Sequence, residues 1–482
     1  MKGNGFSTII ERQQEERKNS EPSTARQSII MTNSCNNNAT TIALIIWCGV
    51  VSVNSFTTKK IQHFHHTTPP LFAVPPQQRC AILSGEGFPS NPGWKKGQLD
   101  TLTDWAVNNE ANRPIITEYE PDSMWLWKQW DGTVWPLTIV PVVTSLVAGI
   151  GVSIGVRSCS ETSWPYFAAP PTDVIAGNQL LEQLQGLNLL WEYQLTLATF
   201  ILTFFTSEAY KHWRTVYLTT RAIQGRVNDI CMLVTIGAAT TAPNNEAAVL
   251  VDRVTRLIKK SHTFFWAASP TCSNGFIDGE FEKSDIGPLL LSPAGLQELV
   301  EVGELTKEEV GALLESGLPP SQYAYVLLEW VGIYIRDGLA SGLLPNATGG
   351  WEENILRQLT MLRGEYFNIG DYTAGRMPLA YVQLVQILVD SLVILAPFSL
   401  YSQVGDLSIA LVPLLTLFFK GLLELSKSFL DPFGVEGYRS QNIRVDVLVS
   451  EVNFGAGNCW VKAAQSFPQP PTTTLHDSDL SL

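Results

Sequence analysis

The chain is short of charge. Only 16% of its 482 residues are Asp, Glu, Lys or Arg, where soluble domains carry about 25%. Basic residues are scarcer still: 32 Lys and Arg stand against 45 Asp and Glu, a net charge of −13. That sign disfavours a nucleic-acid partner, because a phosphate backbone calls for a basic face. The seven cysteines (Cys35, Cys48, Cys80, Cys159, Cys231, Cys272, Cys459) are odd in number and scattered, and no CxxC occurs. Neither a zinc site nor a disulfide framework follows from that pattern. The six histidines are scattered too, apart from His63, His65 and His66 in a Thr/Pro-rich stretch. No paired-acid or Cys/His constellation emerges. The sequence therefore predicts no catalytic residue, no metal site, no cofactor and no enzyme. Apolar residues, by contrast, make up 45%. Membrane spans joined to a sizeable polar part would give both figures.

The N-terminus reads as targeting sequence. Residues 1–40 are polar and uneven, a disordered composition, and translation could start at Met1 or Met31. Ile42–Val53 is a 12-residue apolar run without charge. A bilayer span needs ~20 residues, so this run suits a signal-peptide core, with a cleavage site near Ser55–Phe56. The stretch after Phe56 is basic, Thr-rich and free of acids, which is transit-peptide composition. Signal peptide (1–55) followed by transit-like segment (56–85) resembles a bipartite plastid presequence. The plainer alternative is a secreted or membrane-anchored N-terminus.

Four membrane segments are expected, at about 134–156, 189–207, 379–403 and 407–425, within a channel-sized domain spanning 86–464. Val134–Val156 holds 23 residues without charge, enough for a ~30 Å hydrocarbon core. It contains Gly151-Val-Ser153-Ile-Gly155. A serine-hydrolase elbow would need a strand-to-helix turn there, so the glycines read instead as a small-residue packing face. The second span ends before Glu208, and Lys211, His212, Arg214, Arg221 and Arg226 follow. By the positive-inside rule that end faces the cytosol or stroma, with both termini on the same side. Residues 240–370 show helical patterning. Ser292 reads as an N-cap, and Thr306 with Glu309 as a capping box. The last two spans form a hairpin about Gly405-Asp406. Its second arm continues as an amphipathic helix until Pro432 and Gly434. The Pro/Thr/Ser-rich tail, 465–482, reads as disordered.

Four stretches, in order, resemble the bestrophin family, and specifically its algal, plastid-targeted type. They are Trp130-Asp-Gly132-Thr-Val-Trp135 at the first span, Thr199-Phe-Ile-Leu-Thr-Phe-Phe205 with His212-Trp213 in the second, Met377-Pro-Leu-Ala-Tyr381-Val-Gln383 opening the hairpin, and Asp431-Pro-Phe-Gly434 closing it. Gln441–Asp446 also looks like the tail of algal members. The resemblance covers roughly residues 124–460. It implies an all-α membrane protein, a pentamer with four transmembrane helices per subunit around one pore and a large helical stromal or cytosolic part. It implies passive conduction of chloride and related monovalent anions, bicarbonate among them, with membrane lipid as surroundings. A thylakoid membrane is the expected location. A non-conducting scaffold on the same fold is the alternative.

Thr196, Phe200 and Phe204 lie four apart, and each step drifts only ~40° around a helix. Such a stripe is compatible with core packing. The resemblance places it on the family's hydrophobic neck, where rings of Phe gate by dewetting and aromatic edges face an anion. Other members carry an aliphatic residue at Thr196, so the outermost ring is expected to be wetter. Glu192 and Glu208 drift ~80° from Phe200 in opposite senses and do not share its axis. Asp390 falls midway along the third span. A carboxylate at that depth is either functional or hydrogen-bonded between helices. Animal members clasp calcium with a run of acids after the Asp-Pro-Phe-Gly stretch. This chain reads Val435-Glu-Gly-Tyr-Arg439-Ser there, too few carboxylates for a calcium site, so calcium independence is expected.

Overall fold

The computed structural model describes residues 105–108, 114–116, 118–121, 123–130, 132–159, 164–166, 168–171, 175, 179–241, 245–269, 289–345, 350–434 and 443–466. The signal, transit and calcium-loop expectations, and the tail beyond residue 466, lie outside them. The described elements are helical throughout. They run α1 Ser123–Lys128, α2 Trp135–Cys159, α3 Gln179–Thr241, α4 Asn245–Ala268, α5 Pro293–Glu301, α6 Lys307–Glu315, α7 Tyr323–Ala340, α8 Trp351–Ala374, α9 Leu379–Val404, α10 Ser408–Phe429, α11 Val445–Phe454 and α12 Trp460–Gln465.

Three stretches are long and apolar enough to cross a bilayer: Trp135–Ser158, Leu181–Ala239 and Leu379–Phe429. The third is divided by a 3-10 turn at Gly405–Leu407 into α9 and α10. Gly405 has a φ of 61°, and a Cβ there would run into the carbonyl of Ala168. Both the left-handed backbone and the close approach call for glycine. α2, α9 and α10 carry internal prolines at Pro141, Pro397 and Pro413. Membrane helices tolerate such breaks because neighbouring groups satisfy the freed carbonyls.

The helix that carries the second apolar segment does not stop at residue 207. It belongs to a 63-residue helix, α3, ~95 Å long at 1.5 Å per residue. No proline interrupts the stretch, and Pro243 follows two residues after it. A charge run marks where a span leaves the apolar layer, not where a helix ends, so the positive residues after Glu208 continue the same helix.

Upper α3 packs on α9 and α10 through Leu202, Phe205 and Ala209 against Val385, Val389 and Leu423. Polar side chains join these helices too. Trp191 Nε1 donates to the Leu392 carbonyl at 3.0 Å, Gln194 reaches Ser391, and Thr206 meets Ser426 at 2.7 Å. Without a hydrophobic drive inside lipid, such bonds help hold helices together. Lower α3, from Val216 to Ala238, enters a second core with α4, α7, α8 and α11. The Asp431-Pro-Phe-Gly stretch ties the two regions together: Phe433 is buried, its ring 5.3 Å from that of Trp266 on α4.

Both predicted caps form. Ser292 accepts the Gly295 amide, and Thr306 and Glu309 make a reciprocal capping box. The Gly151/Gly155 face meets no packing partner among the described residues. No described residue lies within 4 Å of a Cβ built at either, while α10 approaches at Gly149. Ser153 is inside α2, and its hydroxyl donates to Asp406 at 2.6 Å. It sits on no nucleophile elbow.

Candidate functional site

Upper α3 has two opposite faces. Trp191, Ala198, Leu202, Phe205, Ala209 and Val216 are buried. At ~100° per residue they cluster within about 60° of arc. The opposite side is a continuous exposed ribbon, running Thr196, Phe200, Thr203, Ser207, Lys211, Arg214 and Leu218. Phe200 is 62% exposed and Phe204, at the ribbon's edge, 53%, whereas its neighbour Phe205 is at 0%. Adjacent residues with the same side chain, about 100° apart around the helix, thus differ fully in exposure.

Phe200 and Phe204 contact each other edge to face, with centroids 4.8 Å apart at 62°. Thr196 directs its hydroxyl back to the Glu192 carbonyl at 3.1 Å. Thr203 does the same to Thr199 at 2.7 Å. The three predicted residues therefore share one exposed stripe, with none of them buried in the chain's cores.

The charges on α3 are mostly matched. Glu192 accepts from Asn188 at 2.8 Å and from Gln403 at 3.2 Å. Lys211 pairs with Glu208 at 2.6 Å. Arg221 pairs with Glu451 at 2.7 Å. Arg226 reaches Gln358 at 2.9 Å and Asp229 at 3.4 Å. Arg214 is exposed and makes no hydrogen bond or ion pair with a described residue.

Asp390 is not an isolated acid. Gln386 donates to both of its oxygens, at 2.8 and 2.7 Å, and Lys420 on α10 forms an ion pair with it. These contacts tie Asp390 both to its own helix and to α10. Sequence reasoning missed Lys420, although a lone lysine thirty residues after an intramembrane acid, across a turn, was the available signal.

A second polar knot closes the far end of the hairpin. Asp406, 4% exposed, is met by Arg157 through Nε (3.2 Å) and Nη2, by Ser153, and by Tyr401 at 3.3 Å. The Arg157 guanidinium also stacks over the Trp164 and Tyr166 rings, at 5.0 and 4.4 Å. Two loop aromatics and the hairpin turn are thereby fixed to the end of α2.

The helical layer below carries its own buried charges. Arg256 grips Glu309 with two bonds of 2.8 Å. This partner holds the Glu309 carboxyl below its usual range, against the opposing effect of burial. Lys260 is buried against Glu304 at 2.8 Å and donates to the Ala106 carbonyl. Burial pulls its pKa down to about 8. No group of three or more metal-ligating side chains occurs among the described residues.

No family model and no curated protein matches the chain. Among solved structures it is similar to a bacterial bestrophin homologue from Klebsiella pneumoniae in a tryptophan-to-alanine variant. That likeness is 15% identity and a TM-score of 0.46, over 68% of this chain and 98% of that one. A leucine-to-threonine variant of the same homologue gives 14% and 0.45, over 66% and 97%. A structure described as a membrane protein, in a glycine-to-alanine variant, gives 14% and 0.45, over 68% and 99%.

Proposed function

We propose that the chain is one subunit of a bestrophin-like pentameric anion channel, conducting chloride and bicarbonate passively through a plastid membrane, the thylakoid in particular. The observation that carries this reading is the exposed ribbon on α3. Thr196, Phe200, Thr203 and Ser207 share the outward face of the apolar half of α3, and Lys211 and Arg214 continue the same line where the span leaves the apolar layer. A face that mixes aromatic, hydroxyl and charged groups suits neither lipid nor a packed core. Its natural surroundings are water or another subunit. With copies arranged about an axis beside this ribbon, each ribbon residue becomes a ring, and Phe200 and Phe204 form a hydrophobic constriction. α2, upper α3, α9 and α10 are then the four spans of each subunit. The Thr196 hydroxyl bonds to Glu192, which leaves aromatic edges rather than hydroxyl donors to face an anion at the neck. Asp390, tied to Gln386 and Lys420, serves as a helix-joining pair in this scheme.

The test is flux. Purified full-length protein in liposomes should release chloride and bicarbonate down their gradients, and native mass measurement should give five subunits. An assembled oligomer that passes neither anion would replace this reading with the non-conducting scaffold.

A further inference from the structure

The chain as a whole repels anions, with a net charge of −13. A pathway for anions through it needs a local cation, because field at close range outweighs distant charge. Along the exposed ribbon that cation is Arg214. It lies eighteen residues after Thr196 in the sequence. Eighteen residues is five helical turns, so the two share one line along α3, ~27 Å apart. Leu218 stands in the same relation to Phe200. Lys211 is the other cation here, but Glu208 neutralises it at 2.6 Å. Arg221 and Arg226 are turned into contacts with Glu451 and Gln358.

We infer that Arg214 is the charge-selecting residue of the conduction pathway, forming a ring of guanidinium groups below the Phe200/Phe204 constriction that concentrates monovalent anions and repels cations. This rests on the channel reading above. A guanidinium suits the task because it is always charged and weakly hydrated. One with no side-chain partner among the described residues keeps its field for a passing ion, and five copies add. The effect should be strongest at low ionic strength, since the Debye length shrinks from about 30 Å at 0.01 M to about 10 Å at 0.1 M.

The experiment measures reversal potentials in asymmetric potassium chloride, using the full-length protein in planar bilayers. Arg214→Glu should lower the anion-over-cation permeability ratio severalfold and Arg214→Gln should fall between it and the wild type. The loss of conductance should be larger at low salt. Arg226→Gln, which removes the same charge from a bonded position, should leave the ratio unchanged. If Arg214→Glu fails to assemble, Arg214→Cys is assembled first. It is then treated with anionic or cationic thiol reagents, which should move the ratio in opposite directions. Conducting Arg214 variants with a wild-type ratio and wild-type salt dependence would overturn the inference and leave the channel reading standing. An assembled wild-type protein without current would overturn both.

Discussion

Asp390 and Lys420 lie fifteen residues before and after Gly405, and their side chains pair across the α9–α10 hairpin. That symmetry fixes the register of the two arms. It also means that neither charge is exposed to the apolar layer alone. An uncompensated charge at mid-span costs about 2.5–3.5 kcal/mol on insertion scales.

Asp390→Asn or Lys420→Met alone should therefore reduce membrane expression and thermal stability. The double variant should recover much of the loss, because it strands no charge. Detergent-solubilised melting curves for the three proteins check this. Equal melting temperatures for single and double variants would contradict the pairing.

Arg157→Ala should be more damaging than its partly exposed position suggests. It strips the nearly buried Asp406 of its cation, and breaking one side of a buried pair costs about 3–5 kcal/mol. Arg157→Lys should rescue only in part, since an ammonium cannot reproduce the fork and the stacking on Trp164 and Tyr166. Comparative thermal unfolding would show the order wild type, Lys, Ala.

Phe204 and Phe205 provide a matched pair. Phe205→Ala opens a cavity between α3 and Tyr381, whose ring is 5.8 Å away, and should cost about 3–5 kcal/mol. Phe204→Ala removes an exposed ring and should cost little stability. Combined with Phe200→Ala, it should give assembled channels that conduct with less gating. Folded double variants with unchanged conductance and gating would remove these residues from the pathway.

His262 makes stability pH-dependent. Trp266 Nε1 donates to its Nε2 at 3.1 Å, and Tyr366 Oη lies 2.9 Å from Nδ1. The ring is buried, and burial pushes its pKa from 6.5 down to about 3. The unfolded chain takes up a proton near 6.5 while the folded one does not, so its contribution is complete above that pH. It declines as pH falls toward 3, by up to about 1.4 kcal/mol per unit. Unfolding measured from about pH 7 to 5 should show this slope, and His262→Gln should flatten it.

Adding or chelating calcium should leave the open fraction unchanged, since the 435–440 stretch holds one acid, Glu436, and one base, Arg439. Steep micromolar activation in bilayer recordings would contradict that.

Local rules made much of this legible in advance. Long apolar runs, uncharged from Val134 to Val156 and only sparsely charged in the hairpin, announced α2, α9 and α10. Ser292, Thr306 and Glu309 announced helix starts, because capping depends on residues three apart. Gly405 announced the turn. The four-residue spacing of Thr196, Phe200 and Phe204 put them on one stripe. Spacing could not say whether that stripe faced the core or the outside, since a 3.6-residue period is the same for both. Burial of Trp191, Ala198, Leu202 and Phe205 on the opposite arc decided it, and that depends on where α9 and α10 pack. The length of α3 was hidden for a similar reason: its lower half is stabilised by α4, α8 and α11 and not by its own composition. The partner of Asp406 was out of reach, and that of Asp390 was only hinted at by the lone Lys420 beyond the turn. Lys420 and Arg157 are 30 and 249 residues away in the chain, and only the folded hairpin brings those opposite charges together.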